Sequence, residues 1–121
     1  MDFMIIGGNT KDVIEKMKKT GCFSSKRHRI LEPMPFDSID LTIQRIINEK
    51  PNFIVLGYDL GDPTCNGCQL ASLINQLTQS YIIASCEDVD KFSDVKYIVD
   101  KIVRCDTQEY VKAFESLIPC F

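Results

Sequence analysis

Short apolar runs alternate with longer amphipathic stretches along the whole chain, the pattern of parallel strands buried on both faces and covered by helices. Phe3 to Ile6 reads as a first strand closed by Gly7-Gly8. Thr10 then caps a helix in which Val13, Ile14 and Met17 recur at helical spacing and Gly21 supplies the end. The second strand lies between Cys22 and Leu31, and its dilution by serines and basic residues predicts an edge position. Asp37 or Ser38 caps the second helix, whose Ile39, Ile43, Ile46 and Ile47 line one face until Pro51 stops it. Phe53 to Leu56, bounded by Pro51-Asn52 and Gly57, is a central third strand. A third helix begins near Gly67, with Leu70, Leu73, Ile74 and Leu77 facing inward. Tyr81 to Ala84 forms the fourth strand. A short fourth helix follows over Asp88 to Lys96, with Val89, Phe92 and Val95 inward. The fifth strand lies between Tyr97 and Val103, and Thr107 opens a last helix with Val111, Phe114, Leu117 and Ile118 inward, ended at Pro119.

Five βα units with short links require right-handed crossovers and are too few for a closed eight-stranded barrel. The expected fold is therefore an open α/β flavodoxin-like three-layer sandwich: one five-stranded parallel sheet of order 2-1-3-4-5 with five helices. A length of 121 residues suits one domain over residues 1–121. In such a sheet functional side chains gather at the carboxyl ends of the strands, beside the point where strand order reverses.

Composition narrows the function classes. A formal charge of -3 leaves no basic footprint for nucleic acid, and the one basic cluster, Lys26-Arg27-His28-Arg29, reads as solvated surface. No apolar run approaches the roughly 20 residues of a membrane helix. Met1-Asp2 leads straight into Phe3-Met4-Ile5-Ile6 without a secretory signal, so a cytoplasmic location is expected. His28 is the only histidine and has no readable triad partner, and Gly7-Gly8 is too short for a nucleotide loop. The chain is expected not to be an enzyme.

At the end of the third strand the chain reads Asp59-Leu60-Gly61-Asp62-Pro63-Thr64-Cys65-Asn66-Gly67. An aspartate with proline four residues on and glycine eight on resembles the signature of response-regulator receiver domains. Ser85 ends the fourth strand where receivers carry serine or threonine, and Arg104 ends the fifth where they carry lysine. The resemblance covers the whole chain. It implies that Asp59 is the phosphoacceptor, that Ser85 is the switch hydroxyl, and that Arg104 is the cation at the lysine position. It also implies a histidine kinase or downstream signalling protein as partner, contacts through the fourth helix, fifth strand and fifth helix, and a homodimer through that same face.

Two departures qualify what the resemblance implies. Receivers hold Mg²⁺ with an acidic pair after the first strand, the acceptor aspartate and a backbone carbonyl. Here that first position reads Gly7, Gly8 and Asn9, a degenerate acidic pocket, and a hard divalent ion favours carboxylate oxygens. Second, counted from Pro51 the acceptor position falls on Gly57, whereas counted from Pro63 and Gly67 it falls on Asp59. The expectation is a pseudo-receiver acting through protein contacts, with no cofactor and with Mg²⁺ only if Asp59 is a working acceptor. A permanently charged guanidinium at Arg104 is expected to pair with Asp59 in place of the ion.

Six cysteines are many for this length, and without an export signal they read as reduced thiols. Cys65 and Cys68 form a C-x-x-C pair at a helix start, where the dipole favours thiolate. Cys86 and Cys105 follow the fourth and fifth strands on the same sheet edge. A thiol-redox or metal-binding protein using Cys65, Cys68, Cys86 and Cys105 is the alternative from another class.

Overall fold

The structure is a computed structural model in which residues 2–7, 10–19, 29–31, 38–104 and 112 are described. The elements run β1 (Asp2–Ile6), α1 (Thr10–Lys18), β2 (Arg29–Ile30), α2 (Ile39–Glu49), β3 (Phe53–Gly57), β4 (Asp59–Asp62), β5 (Cys65–Asn66), α3 (Gly67–Leu77), β6 (Tyr81–Cys86), a 3-10 segment (Val89–Val95) and β7 (Lys101–Arg104). Five strands form one sheet of order β2-β1-β3-β6-β7, and every neighbouring pair is parallel. Allowing for the inserted β4 and β5, this is the expected order 2-1-3-4-5.

Alternation along each strand decides which face a side chain enters, because successive Cβ atoms point to opposite sides of the sheet. Phe3, Ile5, Phe53, Val55, Ile83 and Val103 gather on one face under Val13, Ile14 and Met17 of α1. Met4, Ile6, Ile54, Leu56, Ile82 and Ala84 gather on the other under Ile43 and Ile46 of α2, Leu70, Ala71 and Ile74 of α3, and Phe92. Both faces are covered, so the central strands need unbroken apolar runs. The registers align these runs, with Phe3 opposite Phe53 and Phe53 opposite Tyr81. The Phe3 and Phe53 rings stack at 4.7 Å between centroids and 7° between planes. Each fully buried side chain of this kind stabilises by about 1.5–3 kcal/mol, far above an exposed ion pair.

β2 is an edge strand of two residues, as its composition predicted. Leu31 N–H donates to the Phe3 carbonyl at 2.8 Å, and the Arg29 guanidinium grips Asp2 through two hydrogen bonds of 3.3 and 3.0 Å. Of the basic cluster, Arg29 is thus a structural charge; Lys26, Arg27 and His28 lie outside the described residues. So do Gly8, Asn9, Gly21, Cys22, Cys105, Cys120 and, apart from Lys112, the expected fifth helix.

Several expectations need correction. The fourth helix is a 3-10 segment, in which Lys91 N–H donates to the Asp88 carbonyl at 3.1 Å. Its buried Phe92 and Val95 lie three apart, which suits a helix of three residues per turn. The fifth strand begins at Lys101 rather than Tyr97, because the N–H groups of Ile98 and Val99 still turn back to the Val95 carbonyl. Asp100 then joins the sheet by donating its N–H to Ile82 O and accepting the Ile82 N–H on its carboxylate. Ile47 and Leu77, expected inward, are exposed on the last turns of α2 and α3. The hairpin of β4 and β5 was not anticipated.

α2 starts where the sequence allowed, with Ser38 Oγ accepting the Leu41 N–H at 3.1 Å. It ends at Lys50, a left-handed cap with a φ of 49° whose N–H donates to the Ile46 carbonyl, and Pro51 cannot continue the helix. Ser38→Ala should cost about 1 kcal/mol of stability by urea denaturation through loss of this cap. An unchanged midpoint would show that the cap contributes nothing.

Candidate functional site

Three strand ends and one helix start converge at the carboxyl edge of the sheet, and glycine occupies the tightest positions. Gly57 closes β3 and pairs with Ser85 of β6, which in turn pairs with Val103; Cys86 pairs with Arg104. Gly7 follows β1, and a Cβ added there would lie 3.4 Å from the Gly57 Cα. Gly67 opens α3 so close to β3 that a Cβ on it would fall 2.2 Å from the Gly57 carbonyl oxygen. No real side chain tolerates that distance, so α3 can start here only on glycine.

The residues between Gly57 and Gly67 explain how the chain makes this approach. Asp59 pairs with Asn66 and Asp62 with Cys65 across an antiparallel hairpin whose turn carries Pro63-Thr64. Proline presets the backbone for the second position of such a turn. Gly61 adopts a left-handed φ of 78°, and its N–H donates to Asp59 Oδ1 at 2.8 Å, an Asx-turn bond. The hairpin delivers Asn66 as N-cap of α3. Its side chain accepts the Gln69 N–H at 3.1 Å, while Gln69 Oε1 accepts the Asn66 N–H at 2.9 Å, a capping box. Gly67 N–H donates to the Tyr58 carbonyl at 2.7 Å, so another N-terminal donor of the helix is also satisfied.

Tyr58 lies on this frame. Its ring meets Phe92 edge-on at 5.9 Å and 88°, Lys91 Nζ stands 5.0 Å from its centroid, and Asn66 Nδ2 reaches its hydroxyl at 3.5 Å. It stands between two hollows, since Tyr58, Asp59 and Lys91 line both. The cavity over the strand ends measures about 320 Å³ and is lined by Gly7, Gly57, Ser85 and Cys86 with side chains of α1 and the 3-10 segment's Lys91.

Of the sequence-derived site residues, Asp59, Ser85 and Gly7 meet around this cavity, and Gly57 lies between them. Ser85 is buried at 4% exposure. Asp59 is exposed, two positions beyond the end of β3, with its carboxylate engaged by its own loop. Arg104 is exposed at the end of β7 and does not line the cavity. The ion pairs among the described residues are Lys16–Asp12, Arg29–Asp2 and Arg45–Glu49, so the expected Asp59–Arg104 pair is not formed. Asp59 belongs to the hairpin rather than to β3, and its Oδ1 accepts a backbone N–H instead. Sequence reasoning missed Tyr58, Lys16, Glu87 and Lys91, because only topology brings them to one place.

Gly7 and Gly57 offer no side-chain oxygen at the ends of β1 and β3, and among the described residues no group of three His, Cys, Asp or Glu is arranged to hold a metal ion. The same finding bears on the cysteines. Cys68 Sγ donates to the Lys91 carbonyl at 3.0 Å, and Cys65 Sγ approaches the Asn66 carbonyl at 3.6 Å. Cys65 and Cys86 are buried and Cys68 is half-buried. Burial, and secondarily the Asp94 carboxylate, pushes the Cys68 thiol above its ordinary value, so the helix start does not yield the expected activated thiolate.

No family model and no curated protein matches the chain. Solved structures do match. A two-component response regulator from Clostridium difficile superposes with a TM-score of 0.68 at 20% identity, over 97% of this chain and 95% of that one. The receiver domain of NtrX from Brucella abortus gives 0.66 at 11% identity over the full length of both. The response regulator domain of Thermotoga maritima CheB gives 0.64 at 11% identity, over 98% and 91%. No helix among the described residues is long and apolar enough to cross a membrane.

Two outcomes test this geometry. Gly67→Ala should destabilise the fold by about 1–3 kcal/mol, since the added methyl must displace the β3 backbone; a chemical denaturation midpoint equal to the parent's would contradict the packing. Alkylation of Cys68, followed by peptide mass mapping against pH, should reach half its maximal rate at a higher pH than free cysteine treated in parallel, because burial raises its pKa. A midpoint equal to or below that of free cysteine would mark an ordinary or activated thiol. The chain has the fold of response-regulator receiver domains.

Proposed function

We propose that this chain is a receiver-shaped signalling module that works through protein contacts without Mg²⁺-dependent aspartyl phosphorylation. The observation that carries this reading is Gly57: the last residue of β3, in register with buried Ser85, has no carboxylate to accept a phosphoryl group. Aspartyl phosphorylation sets an anion against an anionic donor, and it proceeds where cations and hydrogen-bond donors offset the developing charge. At this edge Gly7 and Gly57 contribute backbone only, Asp59 is turned to Gly61, and Arg104 stands apart. The module is not an enzyme on this reading. Its partner is a signalling protein, a kinase or a downstream target, that recognises shape and surface rather than a phosphate.

A second reading is favoured by Asp59 itself, which lines the cavity and keeps the spacing to Pro63 and Gly67 seen in the receiver signature. On that reading the hairpin opens, the Gly61 bond is released and Asp59 accepts the phosphoryl group. Incubation with acetyl phosphate and Mg²⁺ followed by intact-mass measurement separates the two. The expected result is no stoichiometric adduct. A prompt gain of one phosphoryl group that disappears in Asp59→Asn would replace the first reading with the second.

A further inference from the structure

Gly7 and Gly57 keep side-chain bulk out of the cavity at the strand ends. A Cβ on Gly57 would already stand in ordinary van der Waals contact, 3.6 Å from the Gly7 Cα and 3.7 Å from the Ile6 carbonyl oxygen. The resulting volume, about 320 Å³, lies in the range of small-molecule sites, and its place outside the carboxyl ends of parallel strands is where open α/β sheets bind ligands. Its half-buried apolar lining is Val13 and Tyr58, with Ile5, Ile6 and Val55 buried in the core behind them.

The charged lining is mixed. Lys16 and Asp12, paired at 3.2 Å, both come from α1; Lys91 comes from the 3-10 segment; Asp59 and Glu87 follow β3 and β6. A ligand with one kind of charge is repelled by one of these sets, and like charges brought together in a desolvated site are costly. A small molecule carrying both charges on neighbouring atoms, with an apolar body to lie against Val13 and Tyr58, satisfies both charge sets and the apolar lining.

We propose that this cavity binds a small zwitterion of amino-acid type, which serves as the input of the module in place of a phosphoryl group. The inference rests on the reading that the strand ends do not support phosphorylation. Lys91 supplies the output. Its ammonium stands over the Tyr58 ring, and Tyr58 packs edge-on against Phe92, the buried anchor of the 3-10 segment. Turning Lys91 to the ligand's carboxylate gives up the ring contact and loosens that anchor, so occupancy of the cavity is felt on the outer face of the 3-10 segment.

The test is a titration of isotope-labelled protein, followed by amide chemical shifts, with L-leucine and L-glutamine up to about 10 mM, a range that reads Kd values near 1 mM. Isoamylamine and 4-methylpentanoate, which keep one charge each of the leucine pattern, are the controls. Saturable shifts at Gly7, Gly57, Ser85 and Lys91 are expected with an amino acid, with at least about fivefold weaker binding in Lys91→Ala under conditions where its amide spectrum shows the variant folded. No saturation by either amino acid, equal binding of a singly charged control, or unaltered affinity in Lys91→Ala would each overturn the proposal. Phosphodonor treatment of the same sample distinguishes the failures. Absent binding and absent phosphorylation remove the ligand and leave the contact module, whereas phosphorylation of Asp59 removes the reading beneath it.

Discussion

The approach of α3 to the end of β3 is the constraint from which the rest of the edge follows. Gly67 lies so near the Gly57 carbonyl that neither backbone can shift outward without giving up the helix start. To bring the chain back to that point in the ten residues from Gly57, the connection folds into a hairpin, and the hairpin places Asn66 to cap the helix. Tyr58 is then committed as well, since its carbonyl accepts the Gly67 N–H and its ring is left to pack on Phe92. A single close contact thus arranges the loop, the cap and the aromatic wall.

The same constraint separates two roles that a receiver signature would place on one residue. The strand-end position beside Ser85 belongs to Gly57, while the aspartate with the matching downstream spacing belongs to the hairpin. Asp59 uses its carboxylate to hold Gly61 in a left-handed turn, an interaction local to the loop. Burying the sheet on both faces leaves the strand ends as the place where polar chemistry can be displayed. There the chain displays a glycine-lined hollow flanked by charges of both signs.

The cysteines show how position overrides residue type. A C-x-x-C pair at a helix start suggests thiolate chemistry on dipole grounds, an effect of about 0.3–1 kcal/mol at an exposed terminus. Burial acts against it on Cys68, and the thiol instead bonds the Lys91 carbonyl, tying α3 to the 3-10 segment. The thiol's use here is packing and a weak donor bond.

Much of the fold was legible in the chain because it depends on local periodicity: the apolar runs at Phe3, Phe53 and Tyr81, the Ser38 cap, the stop at Pro51 and the dilute second strand all carry their own signal. Of the candidate site, the sequence by itself pointed to the strand ends and to Gly7-Gly8-Asn9, which carries no carboxylate, after the first. It left Gly57 and Asp59 as rivals, since counting from either flanking proline is equally local. Tertiary structure gave the two residues different places. Strand register sets Gly57 beside Ser85, the Gly67 contact forces the hairpin, and side chains far apart in sequence, Lys16, Tyr58, Glu87 and Lys91, meet only once the crossovers are made. Spacing along a chain measures contour length, whereas a site is made of distances across the sheet, and only the packing of strands on one another converts the first into the second.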